Sequence, residues 1–380
     1  MRRERNILLS PACVNELEEE YVSKSFSDNW VAPGGPQCIL FENELKKFFG
    51  NEVFPVLVSS GTAAIHLSLL ALGVNKGDIV LVQSFTFAAS VNPVLYVGAK
   101  PVLIGSELNT WNMCPEQLEK AILSYTNKGK LPKAIITVDL YGMPCNYTQI
   151  IEISKKYNIP VIEDSAEALG SSHQNQLCGT FGDYGIVSFN GNKIITMSSG
   201  GAVLCKTKER AEYIRFLANQ AKDESSYYQH SQLGFNYAQS NMLAAMGRAQ
   251  LTRLPNFIER RRAINAFYKS LFKSYDYIEV ISEPTVAYIS NYWLTCILIH
   301  PNEHGKSNKD VKEYLFSMGI ESRYLWKPMH LQPLYEKAEY FGANLEDSLF
   351  ENGLCLPSSP VLTNEDLRYI ENTIKKYFKS

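Results

Sequence analysis

The chain has 380 residues, 45% hydrophobic and 20% charged, with a formal net charge of −2 at pH 7. That length supports one large domain with a sizeable core plus a smaller one. The near-neutral balance excludes the basic field that holding nucleic acid or an acidic membrane surface requires.

The first residues, MRRERNILLSPA, contain an apolar run too short for a secretory signal. From Val53 onward, short apolar runs alternate with helical stretches. VFPVLVSS reads as a buried strand and GTAAIHLSLLALG as the helix after it. DIVLVQ is a strand, followed by a helix through AASVNPVLYVG. KPVLIG, PEQLEKAILSYT, KAIITVDLYG, YTQIIEISKKYN and IPVIEDSAEALGS continue the series. Alternation of nearly all-apolar strands with helices implies a mostly parallel sheet covered on both faces. YGIVSFN and GAVLCKT are two further strands. The segment between them is too short for a helical crossover, so they are expected to pair antiparallel.

After Gly234 a long helical pattern carries the basic run Arg260, Arg261 and Arg262, read as a solvated face, and is expected to break near Pro255. YWLTCILIH and SNKDVKEYLFSMG follow as strand and helix. The expected division is a large domain over residues 1–250, with an N-terminal arm, and a small α+β domain over 251–380. The eight cysteines are scattered without a CxxC spacing, which fits reduced thiols rather than a disulfide framework. No apolar stretch approaches membrane-spanning length, so the expected location is the cytoplasm.

Three places carry candidate chemistry. In SSGTAAIHL, a turn leaves a strand and opens a helix at Gly61 and Thr62; free N–H groups there suit an anion, although Ser and Thr also cap helices without any ligand. In VIEDSAEALGS, Asp164 ends a buried strand, where α/β ligand sites open. An aspartate there can hold a proton on a ring nitrogen, or simply cap a turn. Glu163 points the other way and reads as structural. In SFNGNKIITMSSGG, Lys193 is the single lysine and no carboxylate accompanies it. An unpaired, partly desolvated amine favours its neutral, nucleophilic form. A phosphate cradle, an acid for a ring nitrogen and an imine-forming lysine are together the parts of a pyridoxal phosphate (PLP) site. No GxGxxG or Walker motif is present. His66 reads as packed or capping.

Together, SSGTAAIHL, SFTFAASVNPV, VIEDSAEALGS, GDYGIVSFNGNKIITMSSGGAVL and GFNYAQSNMLAAMGRAQL resemble the DegT/DnrJ/EryC1/StrS family of sugar aminotransferases, from about Pro33 to the end of the chain. The resemblance implies an α/β, aspartate aminotransferase-like fold (PLP-dependent fold type I), with a three-layer α/β/α large domain and a small α+β domain. It also implies a homodimer with shared active sites. By matching position, Gly61, Thr62 and Ser188 stand where the family binds phosphate. Phe87 stands where an aromatic stacks on the ring, Asp164 at the ring nitrogen, Glu167 near the ring hydroxyl and Lys193 at the Schiff-base lysine. Asn236 matches the residue that reaches the neighbouring subunit's phosphate. Ala238 departs from a common arginine, TMSSGG from a commoner run with one more glycine, and Tyr324 from a usual proline.

A histidine in place of Lys193 marks members that dehydrate sugars, so lysine argues for amino transfer. The implied reaction moves an amino group from an amino acid, expected to be L-glutamate, to the 4-keto group of a nucleotide-linked deoxy sugar. NWVAPGGPQCILFE and GIESRYLWKPMHLQPLY resemble the branch acting on UDP-linked 4-keto-6-deoxy-N-acetylhexosamines. GNKIIT also resembles perosamine-type enzymes, which use a GDP sugar. Trp326, Lys327 and His330 are candidate sugar or diphosphate contacts, against the plainer reading of a surface turn. The rivals are another PLP enzyme on this fold, or a PLP- or sugar-binding regulatory protein without turnover.

Overall fold

Five-residue runs of apolar, largely β-branched side chains build the centre of this protein, because such residues pack well on a sheet buried on both faces. The computed structural model describes residues 6–301 and 305–379, so most of the basic start lies outside the described residues. Helices α1 (Glu16–Ser27) and α2 (Pro36–Phe48) come first. The expected alternation follows: β1 (Phe54–Val58), α3 (Gly61–Ala71), β2 (Ile79–Gln83), α4 (Asn92–Tyr96), β3 (Lys100–Ile104), α5 (Pro115–Thr126), β4 (Ala134–Val138), α6 (Tyr147–Tyr157) and β5 (Val161–Asp164). A small hairpin, β6 (Ser172–His173) and β7 (Gln176–Leu177), precedes β8 (Tyr184–Ser188), β9 (Gly201–Cys205) and α7 (Lys208–Ala218). The remainder is α8 (Asn241–Phe272), β10 (Ile278–Val280), β11 (Tyr288–Ile289), β12 (Thr295–Ile299), α9 (Asn308–Ser317), β13 (Arg323–Tyr324), β14 (Glu339–Phe341), α10 (Leu345–Asn352), β15 (Gly353–Leu356) and α11 (Asn364–Lys379). Among the described residues no helix is long and apolar enough to cross a membrane.

The large sheet has the order β1-β9-β8-β5-β4-β2-β3-β14. Strand β9 runs antiparallel to both neighbours, as its short connection requires, and the other pairs are parallel. The edge strand β14 comes from the far end of the chain, which no local pattern announced. A second, antiparallel sheet has the order β10-β12-β15-β13. The N-terminal segment runs against this later part: Ile7 bridges Ile320, and the Leu9 N–H donates to Glu321 at 2.8 Å.

Two expectations for α8 are corrected. The helix does not break at Pro255 but runs through it. A proline there removes one backbone hydrogen bond and costs about 3 kcal/mol, yet Leu254 and Phe257 on either side are buried and hold the helix in place. The basic run is not a solvated face either. Arg261 is 1% exposed and its guanidinium donates to the Trp293 and Ser358 carbonyls. Arg262 pairs with Glu283, and Arg260 donates to the Leu362 carbonyl. Loops from the later part of the chain cover this side of α8 and supply the acceptors.

Below the carboxyl edge of the sheet lies a buried polar knot. Glu163 accepts backbone N–H groups from Gly179 (2.5 Å), Phe181 (2.7 Å) and Gly182 (3.1 Å). Asp139 accepts from the Cys145 N–H (2.9 Å) and the Tyr147 hydroxyl (2.8 Å). The Ser165 hydroxyl lies 2.7 Å from Asp139 and 3.2 Å from Glu163. These bonds tie the ends of β4 and β5 together. Asp139, Glu163 and Cys178 come within 4.8 Å of one another, but the protein's own donors already occupy both carboxylates. Burial, the largest influence, pushes Asp139 up to about 6 and Glu163 up to about 8, with Asp139 raising Glu163 further.

Two outcomes follow from this packing. Helix propensity favours alanine over glycine at Gly247 by about 1 kcal/mol. A Cβ there would lie 2.5 Å from the buried Phe41 ring, and such overpacking costs about 1–3 kcal/mol. Gly247→Ala should therefore lower the urea midpoint; a higher midpoint would show that Phe41 yields. The knot sets a pH dependence. Its folded-state pKa values lie above those of unfolded carboxyls, so its contribution is complete below about pH 4 and fades as pH rises through the folded values. The melting temperature should fall between about pH 5 and pH 8. Glu163→Gln, less stable throughout, should show a flatter profile, which calorimetry across that range would read.

Candidate active site

Strands β4, β5 and β8 are parallel neighbours, so the loops beyond them open at one edge of the sheet. A cavity of about 390 Å³ sits there, and Asp164, Glu167, Ser188 and Lys193 all line it. Gly61 and Thr62 enter from the start of α3, whose first N–H groups have no acceptor within the helix. Ser60 caps that helix, its hydroxyl accepting the Ala63 N–H at 3.0 Å, so the capping reading and the cradle coexist. A Cβ on Gly61 would come within 3.3 Å of the Ser188 Cβ, and glycine keeps the cradle open. Phe87, 55% exposed, forms part of the wall.

Asp164 is 4% exposed. One of its oxygens accepts the Ser90 hydroxyl at 2.6 Å and the other the Ala166 N–H at 3.2 Å. Burial pushes its pKa up, against the opposing pull of Ser90 and the Lys193 charge. The expectation of an unaccompanied lysine is corrected. Lys193 Nζ lies 3.1 Å from Glu167 Oε1, and 4.2 Å from the centroid of the Trp293 ring. Glu167 is 26 positions away in sequence, but β5 and β8 are adjacent, so the loops that follow them meet. The other Glu167 oxygen accepts the Tyr141 N–H at 2.7 Å. Burial raises the Glu167 pKa too, opposed first by Lys193.

Of the candidates in the later part of the chain, only Trp326 lines the cavity. Its backbone N–H donates to the Tyr141 hydroxyl at 2.8 Å, and its ring stacks on Tyr141 and leans on Phe87. Lys327 is exposed and is not among the residues lining the cavity. His330 sits behind the wall: its Nδ1 lies 2.7 Å from the Ser84 hydroxyl, its Nε2 2.9 Å from Asp347, and its ring stacks on Tyr340. It fastens the segment carrying Trp326 to the end of β2. Asn236 is exposed and lies outside its own chain's cavity. His66 is packed edge-on against Phe235 and Tyr96. Sequence reasoning missed Ser90, Trp293 and Arg323. Ser90 stood within the resembling stretch SFTFAASVNPV as a short hydroxyl in apolar company, whereas Trp293 carried no local signal.

Comparison with known proteins adds a consistent picture. The DegT/DnrJ/EryC1/StrS aminotransferase family profile matches residues 12–375. EpsN of Bacillus subtilis, provisionally named a pyridoxal phosphate-dependent aminotransferase, is 44% identical, over 95% of this chain and 93% of its own. GDP-perosamine synthase of Escherichia coli O157:H7 is 36% identical, over 95% of both chains. The crystal structure of a DegT DnrJ EryC1 StrS aminotransferase from Brucella abortus superposes with a TM-score of 0.87 at 30% identity, covering 95% of each chain.

Proposed function

This chain belongs to the DegT/DnrJ/EryC1/StrS aminotransferase family, and from that premise we propose that it moves an amino group from L-glutamate to the 4-keto group of a nucleotide-linked deoxy sugar. It is a PLP-dependent sugar aminotransferase. The observation that carries amino transfer is the convergence of Lys193, Asp164 and the Gly61–Ser188 cradle on one cavity; the 4-keto sugar rests on the resemblance and on the likeness to 4-aminating relatives. When bound, the cofactor supplies an aldehyde that takes up the amino group and a ring that draws electrons from the carbon losing its proton.

The chain's own residues do the rest. The start of α3 and Ser188 hold the phosphate. Asp164, buried and steadied by Ser90, keeps a proton on the ring nitrogen. Phe87, on the cavity wall, would pack against the ring. Lys193 takes the proton from the donor's Cα and, in the second half-reaction, returns one to the sugar carbon. Trp293 and Trp326 narrow the cavity and limit water. Strand β5 ends on Asp164, the loop after β8 carries Lys193, and the segment after β13 brings Trp326 to the wall. A GDP-linked sugar is the second reading, favoured by the 36% identical E. coli protein. A panel of UDP-, GDP- and dTDP-linked 4-keto sugars with glutamate, read by mass, separates the two.

Asn236 belongs to a second copy's site in this reading. It stands clear of its own cavity, and the loop before it exposes Tyr227, Tyr228 and Leu233, apolar surface that a lone chain rarely leaves open.

Lys193→Ala should fold normally, lose turnover, and no longer be fixed to the cofactor by borohydride; near-normal turnover would remove Lys193 from the mechanism. Asp164→Asn should retain cofactor but slow proton removal by orders of magnitude. Asn236→Ala should weaken cofactor retention roughly ten- to a hundredfold, the worth of one charge-assisted hydrogen bond. If that variant alone is inactive, mixing it with Lys193→Ala should restore some activity, because one site in each mixed dimer then carries neither defect. No recovery in mixed dimers shown to form would place Asn236 in its own chain's site.

A further inference from the structure

Four charged side chains line the cavity: Asp164, Glu167, Lys193 and Arg323. Three of them are accounted for. Lys193 and Glu167 pair with each other, and Asp164 takes the Ser90 hydroxyl. Arg323 is different. Its Nε and Nη2 both donate to a single oxygen of Glu321, at 2.9 and 2.7 Å. Its Nη1 has no hydrogen bond among the described residues, and its side chain is 56% exposed. The aim of this guanidinium is nonetheless built in. Strand β13 pairs Arg323 with Cys355 and sets the backbone. The other oxygen of Glu321 accepts the Leu9 N–H at 2.8 Å, which holds the carboxylate that orients the guanidinium. A planar fork with one edge occupied and the other open suits an oxyanion.

We propose that Arg323 is the anchor for a substrate oxyanion at this cavity, a carboxylate of the amino donor or a phosphate of the sugar nucleotide. The proposal rests on the aminotransferase reading, in which both substrates are anions and one must leave before the other enters. Lys193 is paired with Glu167 inside the cavity and is assigned to the cofactor and the proton transfers, whereas Arg323 has a whole guanidinium edge open. Lys327, the nearest alternative in sequence, is not at the cavity. Trp326, three positions on, packs over Phe87 and Tyr141, so an anion held by Arg323 would sit beside an aromatic wall.

The test uses the cofactor-loaded protein and calorimetric titration with succinate in one arm and with UDP and GDP in the other. Wild type should bind at least one of these. Arg323→Gln should bind it roughly tenfold or more weakly, as loss of a charge-assisted hydrogen bond requires, with Arg323→Lys in between. A loss confined to succinate assigns the carboxylate, and a loss confined to the nucleotides assigns the phosphate. Should Arg323→Gln fail to fold, Arg323→Lys carries the comparison, because it keeps the charge and removes the fork. Binding within about twofold of wild type in both arms, or no binding by wild type in either, overturns the proposal. If the variants weaken binding but wild type transfers no amino group from glutamate, the anchor stands and the reaction assignment falls. If wild type turns over and the variants bind normally, the reverse holds.

Discussion

The candidate site depends on one buried ion pair. Lys193 and Glu167 have side chains 13% and 5% exposed and meet at 3.1 Å. Taking two charges out of water is expensive, and such a pair is tolerable only when its remaining donors and acceptors are met. Here they are: the Tyr141 N–H takes the second Glu167 oxygen, and the Trp293 ring lies under the ammonium. Tyr141 has a left-handed backbone, φ 56°, uncommon for a bulky residue. Its N–H bond to Glu167 and its hydroxyl bond from Trp326 hold it there. The geometry around the lysine is thus coupled to a strained turn and an aromatic wall.

That coupling joins parts of the chain far apart in sequence. The segment from Arg323 to His330 reaches the large sheet through the Ser84–His330 contact and the Met329 N–H to the Ser84 carbonyl. Strand β14 then pairs with β3 and completes the sheet edge. His330 therefore acts through its grip on the wall, whereas Arg323 and Trp326 face the cavity. Neighbours in one short motif have been given different work by the path of the backbone.

The large sheet was legible because its strands are apolar on both faces and its helices follow at regular intervals, a pattern that short-range chemistry enforces. The antiparallel strand β9 was legible from connection length alone. Gly61, Thr62, Asp164 and Lys193 stood out because each sits at the end of a strand or in a turn, where a functional residue type breaks a local pattern. Sequence order also indicated that Glu163 faces away from Asp164, since side chains alternate along a strand.

Other features had no local signal, for a common reason: burial and ion pairing depend on which loops meet in space. Arg261 reads as an exposed residue of a basic run and is buried because loops near residues 293 and 358 cover it with carbonyls. Pro255 reads as a helix breaker, but buried packing on both sides outweighs one lost hydrogen bond. Lys193 reads as unaccompanied until β5 and β8 become neighbours and bring Glu167 to it. The sequence by itself determined the fold class and the chemical parts of the site. Only the tertiary structure decided their partners, because a desolvated charge is stabilised by whatever lies within a few ångströms, however distant along the chain.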